Sequence, residues 1–250
     1  MAIDAVLVGT GTTSTASVVT AGGTTTTGST FVVGFSFDPG ATVSSVTDSK
    51  SNTYTQIGSV QTTSGGSKCA LYRCENGTGG ASHTATVNFS ANAFSVAWLV
   101  EVTGAAAASF DVTAQIDDTS SPFTVTTPTL NQAAECVICL ASNDDGSSAV
   151  YTSSNTTILG QNNNTASFWT SAISKLVVAS TSAVTPSWTL SAGTNLALIV
   201  ATFKEAGAGS IVPSVGSVLT SGLAPTVDNT TPPPPAPRIV TPVASITFAR

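Results

Sequence analysis

Apolar and polar positions alternate along this chain with a period of two. In TFVVGFSFD, Phe31, Val33, Phe35 and Phe37 fall on one side, the spacing of a β-strand whose successive side chains point to opposite faces. SSVTDSKSNTYTQIGSV predicts two strands around a polar turn at Asp48–Asn52. Further strands are predicted in KCALYRC, HTATVNF, FSVAWLVEV, FTVTTPTL, ECVICLAS, SKLVVAS, SWTL and NLALIVATF, with loops such as GTGG and QNNNT between them. Val96–Val102 and Leu196–Phe203 are apolar on both faces, as inner strands covered from two sides are. AGAGS and GAAAASF are too short or too interrupted by glycine to make a helix. The pattern predicts an all-β protein: an antiparallel β-sandwich of jelly-roll or Greek-key type over residues 1–207, followed by an extended proline-rich C-terminal arm over 208–250.

An internal echo refines that expectation. VNFSANAFSVAWLVEVTG and WTLSAGTNLALIVATFKEAG share a strand, a Ser-Ala turn and a long apolar strand closing at glycine. Two such hairpins, one from each half, suit a pseudo-symmetric double Greek key, although β-hairpins also resemble one another by chance. After Gly207 the pattern changes. Residues 208–250 hold few large apolar side chains, and Pro232–Pro235 lack backbone donors, so this stretch neither builds its own core nor enters a sheet at the proline run. In a polyproline path of about 3.1 Å per residue it reaches on the order of 100 Å, far enough to cross a neighbouring subunit.

Composition supports the β reading and narrows the partners. Only 8% of residues are charged, against about 25% in ordinary soluble domains. Thr, Ser, Asn and Gly supply the polarity instead, and helix-favouring Lys, Glu, Gln and Arg are scarce. Net charge is −6, and the seven Lys and Arg are scattered, so no basic patch is predicted for nucleic acid or an anionic membrane surface. The longest apolar run, near Ala93–Val102, is broken by Ser95 and Glu101 and falls short of the ~20 residues that span a bilayer as a helix. MAIDAVLVGTGTT carries Asp4 where an export signal carries Lys or Arg, so no Sec signal is expected. An exterior-type surface without an export signal fits a virus particle, made in the host cytoplasm and working outside it.

Candidate chemistry is sparse. Cys69 with Cys74, and Cys136 with Cys139, have metal or redox spacing, but on a strand offsets of five and three put each pair on opposite faces, so neither converges on one ion. Buried thiols and a disulfide both remain open, and a reducing site of synthesis favours thiols. His83, the only histidine, shares a face with Ala85, Val87 and Phe89 and is read as a satisfied side chain at a sheet margin. A Ser-His-Asp triad would have to run through it, and the chain has no G-x-S-x-G elbow. Asp117-Asp118 and Asp144-Asp145 sit among Ser and Gly, where turns recruit Asp for backbone hydrogen bonds, although a calcium site or a carboxylate pair remains conceivable. No phosphate-binding glycine loop or HExxH is present, and sequons at Asn76, Asn88, Asn155, Asn163 and Asn229 are inert without export. No enzyme, cofactor or metal is expected.

VTDSKSNTYTQIG, CALYRC, NGTGGASHTATVNFS and AWLVEVTG together resemble a β-sandwich module of bacterial surface proteins and tailed-bacteriophage structural proteins, in which a DS-x-x-N-x-Y hairpin precedes a strand ending in glycine. ALIVATFKEAG is similar to its closing strand, and VGSVLTSGLAPTV resembles a G-S-x-x-x-x-G-x-A-P-x-V motif of phage virion proteins. The likeness spans roughly residues 3–206 plus the tail motif. It implies a β-structured part of a particle surface and carries no catalytic residues.

Two functions are expected from these readings. The first is a non-enzymatic virion structural protein, a capsid decoration (cement) or fibre subunit on head, neck or tail. Its arm would grip neighbouring virion proteins or further copies of the chain, a trimer being plausible, through Val218, Leu219, Pro225, Pro232, Pro235, Ile239, Val240, Ile246 and Phe248. The second is an adhesin module for host-surface glycan, with Trp169 as stacking platform and Asn162, Asn163 and Asn164 as polar partners. Trp98 and Trp188 lie in apolar strands and are assigned to the core.

Overall fold

The computed structural model describes residues 1–143, 149–164 and 169–207. All regular structure among them is β, in antiparallel sheets. The first half runs β1 (Asp4–Thr13), β2 (Ser17–Val19), β3 (Gly23–Thr25), β4 (Thr30–Phe37), β5 (Val43–Asp48), β6 (Thr55–Thr62), β7 (Lys68–Cys74), β8 (Gly80–His83), β9 (Ala85–Phe89) and β10 (Ser95–Thr103). These form a five-stranded sheet in the order β1-β10-β4-β7-β6, a three-stranded sheet β2-β9-β5, and the pair β3-β8. The second half runs β11 (Ala105–Asp118), β12 (Phe123–Thr124), β13 (Ala134–Asn143), β14 (Tyr151–Ser153), β15 (Thr157–Asn164), β16 (Trp169–Ala179), β17 (Ser187–Leu190) and β18 (Leu196–Glu205). Its sheets are β11-β18-β13-β16-β15 and β12-β17-β14. The two orders correspond strand for strand, so the chain folds the same sandwich twice.

The halves meet through their large sheets, giving four β layers and three cores. In the central core Val32, Leu71, Trp98 and Val100 face Ile138, Leu140, Ile173 and Ile199. Phe31, Val33, Phe35 and Phe37 turn the other way, onto Val18, Val87 and Phe89 of the first small sheet. Phe123, Tyr151 and Trp188 fill the matching core of the second half with Val137, Leu198 and Val200. An inner strand of either large sheet is therefore covered on both faces, which is why β4 is buried at all eight positions and why β10 and β18 read as continuous apolar runs. Each fully buried Phe, Leu or Val side chain contributes about 1.5–3 kcal/mol relative to exposure.

The large sheets lie in opposite order, with β1 beside β15 and β6 beside β11. Gly34 faces the opposite sheet, where a Cβ would come 2.9 Å from Ile173 Cδ1 and 3.1 Å from Leu71 Cδ2. Hydroxyl pairs cross the layer at Ser36–Ser171 (2.7 Å), Thr30–Ser109 (2.7 Å) and Ser67–Ser142 (3.0 Å). At the margins Lys175 Nζ reaches Asp4 Oδ1 at 2.5 Å, the Phe110 N–H donates to Glu75 Oε1 at 2.7 Å, and the Arg73 guanidinium lies 3.9 Å from the Phe110 ring centroid. These polar links fix the register of two apolar faces that could otherwise slide.

Several sequence expectations need correction. The DS-x-x-N-x-Y segment is not a hairpin: β5 pairs with β9 in the small sheet, whereas β6 pairs with β7 in the large one. The echoed segments are likewise arches, since β9 and β17 belong to small sheets while β10 and β18 belong to large ones. FTVTTPTL keeps only Phe123–Thr124 in a ladder; beyond it, bonds from Thr127 N to Val184 O and Leu130 N to Thr181 O continue alongside residues 181–186. GAAAASF belongs to the 14-residue strand β11, whose irregular register with β18 around Phe110 hides the period of two.

Candidate functional site

The densest polar constellation among the described residues surrounds Asp48, where the chain crosses from the small sheet to the large one. Asp48 ends β5, and its Oδ1 accepts the backbone N–H groups of Lys50 (2.9 Å) and Asn52 (3.0 Å), closing a turn through Ser51 at φ 61°. Oδ2 accepts from Asn52 Nδ2 (2.7 Å), Tyr54 Oη (2.9 Å) and His83 Nε2 (2.8 Å). The D-S-x-x-N-x-Y spacing thus has a physical cause: Asp48, Asn52 and Tyr54 converge on one carboxylate. Asn52 also clasps Thr78, accepting its N–H at 2.8 Å and donating to its carbonyl at 3.0 Å.

His83 closes the network. It ends β8, packs edge-on to Phe31 with ring centroids 4.6 Å apart, and sets Nδ1 2.8 Å from Thr25 Oγ1. An ionised carboxylate only accepts, so Nε2 carries the proton toward Asp48 and the Thr25 hydroxyl faces Nδ1. Burial acts to raise the Asp48 pKa, but the hydrogen bonds from Asn52, His83 and Lys50 outweigh it and hold the carboxyl below its ordinary value. Tyr54 is pushed far up by burial and then by the Asp48 charge.

Hydroxyl, imidazole and carboxylate stand here in the order of a hydrolase triad. Their surroundings differ from one. The His83 and Asp48 side chains have 0% exposure, Thr25 has 6%, and the Thr25 hydroxyl is also engaged by the Gly80 N–H at 3.2 Å. A nucleophile has to meet its substrate; this hydroxyl is enclosed by its own sheet. The arrangement works as a polar lock joining β3, β5, β8 and the β5–β6 crossing.

The cysteines separate as strand geometry requires. Cys69 and Cys136 lie in the central core, while Cys74 and Cys139 lie in the first and second outer cores. All four are free and buried. Burial pushes the Cys136 and Cys139 thiols up to about 12 and Cys69 still higher, which makes them poor thiolates. Trp98 and Trp188 are core residues, as expected. Asp118 caps its turn, accepting from Ser120 N at 3.1 Å and Thr124 N at 2.8 Å. Among the described residues no three His, Cys, Asp or Glu gather as metal ligands, and no helix is long and apolar enough to cross a membrane.

β15 and β16 bring the glycan candidates together by register, with Asn164 opposite Trp169, Asn163 opposite Thr170 and Asn162 opposite Ser171. Asp144, Asp145 and every arm residue proposed for assembly (Val218, Leu219, Pro225, Pro232, Pro235, Ile239, Val240, Ile246 and Phe248) lie outside the described residues. Sequence reasoning missed Asp48 as the partner of His83. The available signal was the D-S-x-x-N-x-Y spacing in a chain with a single histidine.

A second buried acid was also missed. Glu135, at 0% exposure in β13, is pushed up to about 7, by burial first and then by the neighbouring Asp111 carboxylate. Comparison with family models, with curated protein sequences and with solved structures returned no match for this chain.

Proposed function

We propose that this chain is a non-enzymatic structural subunit of a bacteriophage virion, of capsid decoration or fibre type, with residues 208–250 as the strap that fastens it to neighbouring subunits. One observation supports this above others: the chain's only histidine and, among the described residues, its most elaborately bonded carboxylate are spent on holding strands together. Four β layers with inner strands covered on both faces form a stiff block suited to bearing load rather than to opening around a substrate. The low charge of the chain and the proline run at Pro232–Pro235 fit a surface part joined by an extended segment. The experiment is particle incorporation. A chain ending at Gly207 should keep the β-type far-ultraviolet circular dichroism spectrum of a folded sandwich and fail to join particles that take up the full chain. Equal incorporation of both forms rejects the strap.

A glycan-binding role is the second reading, favoured by the register that sets Asn164 opposite Trp169, with Asn163 and Asn162 next along β15 at the edge of the second large sheet. Glycan-array binding that disappears in Trp169→Ala supports it. Absence of binding by the wild-type chain removes it.

A further inference from the structure

The two halves differ at one end of their outer cores, and the difference leaves a space. In the second half Tyr151 on β14 pairs with Leu190, the residue before the Ser191-Ala192 turn. Its ring is buried, edge-on to Trp188 with centroids 6.1 Å apart, and its hydroxyl donates to Thr170 O at 2.7 Å. Thr170 pairs with Asn143, the last residue of β13. In the first half Val43 on β5 pairs with Phe89, the residue before the Ser90-Ala91 turn, and Lys68 on β7 pairs with Phe37, the last residue of β4. Val43 thus stands where the second half has Tyr151, and Lys68 where it has Thr170.

Valine is smaller than tyrosine by a ring. Phe37, in the place of Asn143, returns part of that volume, and with Ala41 it lies deepest in the lining of the space, each at 1% exposure. About 220 Å³ stays open, with Val43 on the small-sheet side and Val60 on the large-sheet side, where the β6 register shifts between Ile57 and Gln61. A cavity of roughly 150 Å³ accommodates benzene, so a single ring with one small substituent fits.

Lys68 names the substituent. Directly paired residues on neighbouring strands share a face, so Lys68 points toward the small sheet as Phe37 does, and its ammonium lies 5.9 Å from the Phe37 ring centroid. Nζ donates to Pro39 O at 2.5 Å and to Ala41 O at 3.0 Å. An ammonium carries three protons, which leaves one for a further acceptor. Among the described residues the ion pairs are Arg73–Glu75, His83–Asp48 and Lys175–Asp4, and Lys68 takes part in none. Asp38, next to Pro39, turns its Oδ2 to the Phe94 N–H at 2.7 Å. A cation held by neutral carbonyls beside an apolar slot suits an anion with an apolar body.

We infer that this slot binds a single-ring aromatic carboxylate, of which benzoate is the simplest. The ring lies between Val43 and Val60 over Phe37, and the carboxylate accepts the third Lys68 proton. The ligand supplies from solution the aromatic group that the second half supplies from Tyr151, and its polar end meets Lys68 as the Tyr151 hydroxyl meets Thr170. This inference is independent of the assembly and glycan readings.

The test is a benzoate titration of the full chain followed by amide ¹H–¹⁵N shifts. Saturable shifts at Val43, Val60 and Lys68 are expected, with Kd on the order of 1 mM, and none at Tyr151 or Thr170, where the space is filled. Benzyl alcohol has the ring without the charge and acetate the charge without the ring; each should bind about tenfold more weakly or worse. Lys68→Met should weaken benzoate roughly tenfold and leave benzyl alcohol unchanged. Val43→Tyr, which rebuilds the ring of the second half, should abolish the benzoate shifts at Val60 and Lys68. In the wild-type chain alone, absence of saturable shifts at these three amides up to about 10 mM benzoate overturns the proposal. So do comparable shifts at Tyr151 and Thr170, or acetate binding at Lys68 as well as benzoate does.

Discussion

The two halves share a strand order and differ in what they bury. At the crossing from small to large sheet, the first half places an ionised Asp48 under Asn52, Tyr54 and His83. The second half makes the same crossing with neutral groups: Asn155 clasps Thr185 O (2.7 Å) and Ser187 N (3.0 Å), and Ser153 takes the place of the acid, donating to Ser187 O at 2.8 Å. Asn155 repeats the clasp that Asn52 makes on Thr78, so the asparagine closes the arch and the acid is an addition. The second half buries its acid elsewhere, on β13, beside another carboxylate. A buried charge can thus strengthen one copy of a fold and tax the other, depending on whether donors or acceptors surround it.

Removing the acid should separate the halves most sharply. Asp48→Ala leaves His83, Tyr54 and Asn52 without their shared acceptor and should cost on the order of 3–5 kcal/mol in urea unfolding, whereas Ser153→Ala should cost about 1 kcal/mol. Equal losses would mean that the charged lock adds nothing. Next in size is the seam. Gly34→Val drives a branched side chain against Ile173 and Leu71 and should cost about 1–3 kcal/mol, with amide exchange accelerated in both halves if the central layer is shared. Acceleration confined to the first half would show that the layer transmits nothing.

The pH profile is where the halves act with opposite sign. Asp48 has a lowered folded pKa, so its contribution is complete above the ordinary carboxylate range and is lost as pH falls below it. Glu135 is raised from 4.5 to about 7, so its buried neutral form stabilises fully at low pH and that contribution is lost as pH rises between those values. Stability should therefore sag gently from about pH 4.5 to 7 and drop at strongly acidic pH. Glu135→Gln should abolish the sag and leave the acid limb intact.

Much of this was legible in the chain. Clean alternation gave β4, β7, β9 and β13, and the continuous apolar runs marked β10 and β18 as inner strands. The missed strands are those in which something other than alternation sets the residues. In β1, Gly9 and Gly11 are required because a Cβ on either would overlap the carbonyls of Ala21 and Val19, and a register shift falls between Leu7 and Gly9. In β11 two register irregularities flank Phe110. The repeat was half seen. The apolar arches were recognised, but SNTYTQIG and SNTTILG, which place Asn52 and Asn155 at the same crossing and a bulge near Gly58 and Gly160, were not compared. Pairings such as Asp48 with His83 or Asp111 with Asn131 join residues far apart in the chain, and local pattern carries no trace of them.

Whether the duplicated sandwiches make one rigid block is the question on which the scaffold reading stands. Differential scanning calorimetry of the intact chain answers it directly. A single transition whose calorimetric and van't Hoff enthalpies agree is the predicted result. Two resolved transitions, one of them removed selectively by Asp48→Ala, would contradict it.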